Sequence, residues 1–210
     1  MLIIGMTGPS GAGKSVLSSL FARYGVPCIN TDDVYHALLV PPSVCLGELV
    51  DHFGMGILDA NGRLDRAALA ARVFAPGAEA ELATLNAITH RHVLAEVRVR
   101  CASLAADGIA AVVVDAPQLF ESGFNVECDH VLAVLAPPDV RLSRIMMRDG
   151  LSLSAATARL RAQKSDEFFV TRADAVINND GGHPADGHDL ARLDAEVRCL
   201  LDQWEVSYAP

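Results

Sequence analysis

Eight consecutive residues, Gly8-Pro9-Ser10-Gly11-Ala12-Gly13-Lys14-Ser15, carry the clearest chemistry in the chain. A glycine, four residues, then Gly-Lys-Ser is a phosphate-binding spacing. Glycines let the backbone wrap an anion with its N–H groups turned inward. A helix beginning at the end of the loop adds partial positive charge and unsatisfied donors. The backbone of residues 11–16, Val16 included, is therefore expected to hold the phosphates, with Gly8 opening the turn. Lys14 can reach the β- and γ-phosphates of a nucleotide, and the Ser15 hydroxyl can bind Mg²⁺.

Acidic residues after two apolar runs suit the same chemistry. Asp32 and Asp33 follow the short apolar run Val26–Asn30, and Asp115 ends the β-branched run Ile109–Val114. In open parallel sheets, residues beyond the carboxyl ends of the strands face one ligand crevice. Either aspartate after the second run could act there, or could cap the helix that follows, which Thr31 could also do alone. Asp115 suits a position near Mg²⁺, directly or through water. Arg141, Arg144 and Arg148 are spaced to share one helix face, and Arg159, Arg161 and Lys164 follow on the next helix. A basic stripe in an acidic chain fits a lid that neutralises a migrating phosphoryl group. Asn179, just past the apolar run Ala175–Asn178, is placed to meet a nucleotide base, though turn chemistry alone also explains the residue type.

The elements that must position these groups follow from pattern. Leu2–Thr7 is a continuous apolar run beside glycines, hence a buried strand. Helix is expected from Ser15 to about Tyr24, with Gly25 as the stop. Strands are expected at Val26–Asn30, Ile109–Val114, Val131–Leu135 and Ala175–Asn178. Between the second and third strands the pattern is helical: Val34–Val40, Cys45–Phe53, Arg66–Phe74, and Ala78–Ala106 with a break near Thr89. Asp65 is expected to cap the Arg66 helix. Asp189–Trp204 closes the chain as an amphipathic helix, with Leu190, Leu193, Val197, Leu200, Leu201 and Trp204 on its apolar side. The expected fold class is α/β: a P-loop type parallel sheet flanked by helices, with an inserted helical substrate lobe and a helical lid. In residues, 1–35, 108–138 and 174–210 form the core, 36–107 the lobe and 139–173 the lid.

Bulk properties narrow the function classes. The 210 residues are 51% hydrophobic, enough for a large core, and the net charge of −9 disfavours nucleic acid or an anionic membrane as partner. None of the five cysteines sits in a C-x-x-C pair, which suits reduced thiols in a cytoplasmic protein. The first strand and the phosphate loop leave no room for a signal peptide, and no apolar run has the length of a membrane span. His90 and His92 are two residues apart and point to different helix faces, so they are not expected to share a metal. His183 and His188 lack a supporting ligand set.

Six segments, in order, resemble the dephospho-CoA kinase family over nearly the whole chain. They are Asn30-Thr31-Asp32 with His36; Gly62-Arg63-Leu64-Asp65-Arg66 with Val73-Phe74; Leu85-Asn86-Ala87-Ile88-Thr89-His90; Asp115-Ala116-Pro117-Gln118-Leu119-Phe120-Glu121; Arg148-Asp149-Gly150-Leu151-Ser152; and Val176-Ile177-Asn178-Asn179. The resemblance implies ATP and Mg²⁺ as cofactors and transfer of a phosphoryl group to the ribose 3′-hydroxyl of dephospho-CoA. It implies that Asp32 engages that hydroxyl as general base, and that His36, His90, Asp115 and Leu119 lie along the acceptor. Lys14, Arg144 and Arg148 would then stabilise the transferring charge.

The chain departs from the family pattern at Asn30 for an Asp, Arg91 for a Pro, Gln118 for a Leu and Val16 for a Thr. Asn30 removes one negative charge and keeps an acceptor oxygen, leaving Asp32 as the matched base. Three other readings compete. A P-loop kinase of nucleosides or nucleotides would share the loop, the Asp and the arginines. A GTPase switch would need an Asn-Lys-x-Asp segment, which the chain lacks, and a glycine three residues after Asp115, where Gln118 stands. An inactive homologue used as a binding module is disfavoured by intact Lys14, Ser15, Asp32 and Asp115.

Overall fold

The structure is a computed structural model that describes residues 1–181 and 187–208. His183 lies outside the described residues, as does the side chain of His188. The chain divides into two compact units, Met1–Ile29 with Cys101–Pro210, and Asn30–Arg100.

The first unit is built on a five-stranded sheet of order β2-β3-β1-β4-β5, formed by β1 (Leu2–Thr7), β2 (Cys28–Asn30), β3 (Ala111–Asp115), β4 (His130–Leu135) and β5 (Ala175–Asn178). β1 runs parallel to both β3 and β4, and β4 parallel to β5. Val112, Val113 and Val114 are fully buried, as expected for a parallel strand covered on both faces. Helix α1 (Lys14–Arg23) sets Leu17, Leu20 and Phe21 against Ile4, Met6, Val113 and Leu132. The last helix, labelled α9 (Gly187–Gln203) in chain order, adds Leu193, Val197, Leu200 and Leu201 to that core, joined by Trp204. Leu190, expected on this apolar side, is 46% exposed, because it falls in the first turn, beyond the packed stretch. Between β4 and β5 come α6 (Pro138–Asp149), α7 (Leu153–Arg161) and the short α8 (Asp166–Val170), the last not foreseen from pattern. Phe169 of α8 packs on Ala133 and Leu135.

The second unit is helical, with α2 (Thr31–Leu38), α3 (Val44–Phe53), α4 (Arg66–Val73) and most of α5 (Glu79–Ala106). Its core includes Leu49, Phe53, Ile57, Leu69 and Val73. Side chains cap three of these helices: Asn30 for α2, Ser43 for α3 and, as expected, Asp65 for α4. The break expected near Thr89 is absent. Its hydroxyl donates to the Leu85 carbonyl at 2.8 Å, one turn back, so the β-branched polar residue is accommodated inside a continuous helix.

Gly8 joins β1 to the loop at φ +141, and a Cβ there would lie 2.1 Å from the Val134 carbonyl oxygen of the neighbouring strand. Gly25 also has positive φ, at +73, but nothing within 4 Å. Gly8→Ala is expected to cost about 3 kcal/mol or more in urea unfolding, and Gly25→Ala only about 1–2 kcal/mol. Equal losses would show that backbone handedness alone, and not strand contact, demands Gly8.

Candidate active site

The phosphate loop runs from buried Thr7 at the end of β1 into α1, whose cap residue Gly13 has φ +89. Lys14 and Ser15 open the helix, which puts their N–H groups at the positive end of the helix dipole. Two amides of the stretch expected to bind phosphate also make hydrogen bonds within the loop: Ala12 N–H donates to Pro9 O at 3.2 Å, and Val16 N–H to Gly13 O at 3.0 Å. Lys14 Nζ donates to the Gly8 carbonyl at 3.0 Å, which lays the ammonium back over the loop.

Arg144 of α6 holds the outer side of this loop. Its Nη1 donates to the carbonyls of Gly11, Ala12 and Asn179 at 3.2, 3.4 and 3.2 Å. Its Nη2 donates to Asn179 Oδ1 at 3.2 Å and the Gly181 carbonyl at 2.9 Å. Asn179 completes the contact by donating its Nδ2 to Ala12 O at 2.9 Å. Burial lowers the Arg144 pKa, but a guanidinium starts so high that it stays charged near neutrality. Asn179, expected at a nucleotide base, is 3% exposed, and its side chain supports the loop. The position after β5 is therefore a loop brace, a role that residue type could not disclose.

The remaining arginines of the basic stripe differ from one another. Arg141 is 4% exposed and packs beneath the loop. Arg148 is exposed and donates Nε and Nη2 to Asp149 at 2.8 and 3.0 Å. Arg159 Nη1 reaches the same carboxylate at 2.7 Å. The Arg148 hydrogen bonds, with the nearby positive charge of Arg159, hold the Asp149 carboxyl below the usual range.

Asp115 lies at the carboxyl end of β3, paired in register with Met6, and is 5% exposed. Leu119, expected to touch the acceptor, is fully buried, with Cδ2 at 2.9 Å from where a Gly5 Cβ would sit. Its side chain is a core contact with β1.

In the helical unit, Asn30 Oδ1 accepts from the N–H groups of Asp32 and Asp33 at 2.8 and 3.2 Å. Asn30 is thus the cap, not Thr31, and neither aspartate side chain is needed for that task. Asn and Asp serve about equally well at such a position, which gives the Asn30 departure a physical reason. Asp32 is exposed in the first turn of α2. His36 is exposed near the other end, and His90 is half-buried on α5. Glu48 takes both Arg91 and His92, the latter at 3.2 Å.

Sequence reading missed Arg192, which ties Asn178 O and Asp180 after β5 to α9 at 2.9 and 2.6 Å. It also missed Gln163, whose Oε1 meets the loop at Ser10. Neither has a local signal, since both partners are distant in sequence. A Cβ at Gly13 would lie 2.1 Å from Asn179 Nδ2, so Gly13→Ala is expected to weaken ATP binding by about tenfold or more. Adding Asn179→Ala removes that collision. In calorimetric titrations the double variant should lose less than the sum of the two single losses; strict additivity would mean that the two sites do not meet.

The dephospho-CoA kinase family model matches residues 2–185. The dephospho-CoA kinase of Anaeromyxobacter dehalogenans (strain 2CP-C) is 40% identical over 199 residues, covering 94% of this chain and 93% of the relative. The solved dephospho-CoA kinase of Campylobacter jejuni superposes with a TM-score of 0.68 at 27% identity, covering 97% of this chain and 98% of that one. Shikimate kinase of Bacteroides thetaiotaomicron gives a TM-score of 0.58 at 19% identity over 96% of this chain and 98% of its own length, a likeness of fold alone. With the loop, its brace and the match over nearly all of its length, the chain belongs to the dephospho-CoA kinase family.

Proposed function

We propose that the chain transfers the γ-phosphoryl group of ATP to the ribose 3′-hydroxyl of dephospho-CoA, giving CoA and ADP. The observation that supports this most directly is a braced anion loop in a chain whose family match runs from the first strand past the fifth. The α1 N-terminus and Lys14 bind the ATP phosphates. Asp32, with its backbone N–H capped by Asn30, orients the acceptor hydroxyl and takes its proton as the new P–O bond forms and the bond to the β-phosphate oxygen breaks. Arg148 offsets charge on the migrating group, while Arg144 keeps the loop in shape. His36 and His90 line the acceptor.

Among the described residues no cluster of three or more His, Cys, Asp or Glu could hold a metal ion. The donors at hand are the Ser15 hydroxyl and the Asp115 carboxylate. Such hard oxygens fit Mg²⁺, which keeps most of its shell as water and substrate phosphate. When bound, Mg²⁺ screens the phosphate charge. No helix of the described residues is long and apolar enough to cross a membrane.

The test is ATP turnover against dephospho-CoA, adenosine, several nucleoside monophosphates and no acceptor, with Mg²⁺ or EDTA. Turnover with dephospho-CoA alone, yielding CoA by mass and stopped by EDTA, is the expected result. Asp32→Asn should cut kcat by about 10²- to 10⁴-fold with the fold retained. Turnover with a different acceptor would reassign the substrate, and near-normal kcat in Asp32→Asn would remove the base.

A further inference from the structure

Ser10 presents three polar groups, and the segment from Arg141 to Gln163 engages each of them. Its N–H donates to Gln163 Oε1 at 2.7 Å. Its carbonyl accepts from Arg141 Nε at 3.2 Å, and its hydroxyl from Arg148 Nη2 at 3.2 Å. The loop is thereby keyed to the helices that follow β4, not only to the strand and helix it connects.

Gln163 is the centre of this contact. Its Oε1 also accepts from Arg141 Nη2 at 3.0 Å, while its Nε2 donates to the Arg159 carbonyl at 3.3 Å. Those partners fix which end of the amide faces the loop, because two donors converge on one atom and a carbonyl faces the other. Arg141 is held in turn by Asp166 at 3.4 Å. The next loop residue, Gly11, fits directly on α6: a Cβ there would lie 2.8 Å from the Arg141 carbonyl oxygen. Burying a guanidinium this fully is costly unless its donors are satisfied, and at Arg141 two of the oxygens that satisfy it belong to Ser10 and to the residue that binds Ser10.

We propose that Gln163 is a positioning residue for nucleotide binding: by accepting the Ser10 N–H it sets the first half of the phosphate loop in its binding shape before the anion arrives. A preset loop does not have to be ordered on binding, and that saving appears as affinity. The proposal rests on the nucleotide-binding part of the reading above, not on the identity of the acceptor.

The experiment compares wild type, Gln163→Met and Gln163→Glu. Methionine keeps the bulk and removes the strong acceptor. Glutamate keeps the acceptor for Ser10 and Arg141, whose guanidinium offsets its charge, and gives up only the donation to the Arg159 carbonyl. Ser10 amide exchange, read by NMR without nucleotide, should quicken by about tenfold or more in Gln163→Met and stay slow in Gln163→Glu. ATP binding by calorimetry should weaken by about five- to tenfold in Gln163→Met and stay within about threefold of wild type in Gln163→Glu. Unchanged Ser10 exchange or unchanged ATP affinity in Gln163→Met would overturn the proposal, as would a Gln163→Glu variant as weak as Gln163→Met. Because the exchange measurement needs no ligand, it decides the contact even if wild type binds no ATP, the result that would instead sink the proposed function.

Discussion

A loop that turns its N–H groups toward an anion must turn carbonyl groups the other way. Those carbonyls are obligatory acceptors, and leaving them buried without donors would cost more than the loop could bear. Here the Arg144 guanidinium meets that demand, donating to Gly11 and Ala12 on one side and to Asn179 and Gly181 on the other. One planar fork joins the loop after β1 to the end of β5. The glycines follow from the same closeness. Gly13 lies against Asn179, Gly11 against the backbone of α6 and Gly8 against β4. The glycines thus serve inter-element packing as well as the turn of the loop.

The arginine stripe divides into three roles. Spacing along a helix tells which face residues share, but not what that face meets. Arg141 is buried under Ser10, Arg144 braces loop oxygens, and Arg148 shares Asp149 with Arg159. Within a stripe whose spacing suits a migrating phosphate, Arg141 and Arg144 donate to the carbonyls of the phosphate loop. Charge on the supporting residues still contributes to the potential at the anion site, since both guanidinia remain ionised.

Much of the fold was legible because its signals are local. A short apolar run beside glycines, a Gly-Lys-Ser helix start, a β-branched run ending in Asp115 and an amphipathic C-terminal helix each declare themselves within a few residues. The parallel sheet and helical segment between its second and third strands follow from that order. What stayed hidden depends on partners far along the chain. Thr89 could break a helix or bond back into it, and composition does not decide. Asn30 looked like a lost carboxylate until its Oδ1 proved to be a helix cap. Leu119 stands in a segment that reads as a ligand loop, yet its side chain fills space against Gly5. Asn179 is a turn residue by type and a brace by position, and Gln163 carries no sequence signal at all.

The claim that the rest depends on is that Arg144 acts through the geometry of its fork and not as a point charge near phosphate. Arg144→Lys separates these, since lysine keeps the charge and loses the planar array of donors. The decisive measurement is the ATP dissociation constant of this variant by calorimetry, with circular dichroism to confirm the fold. Binding weaker by about tenfold or more is the expected result. Binding at the wild-type level would contradict it and return Arg144 to the role of a simple positive charge.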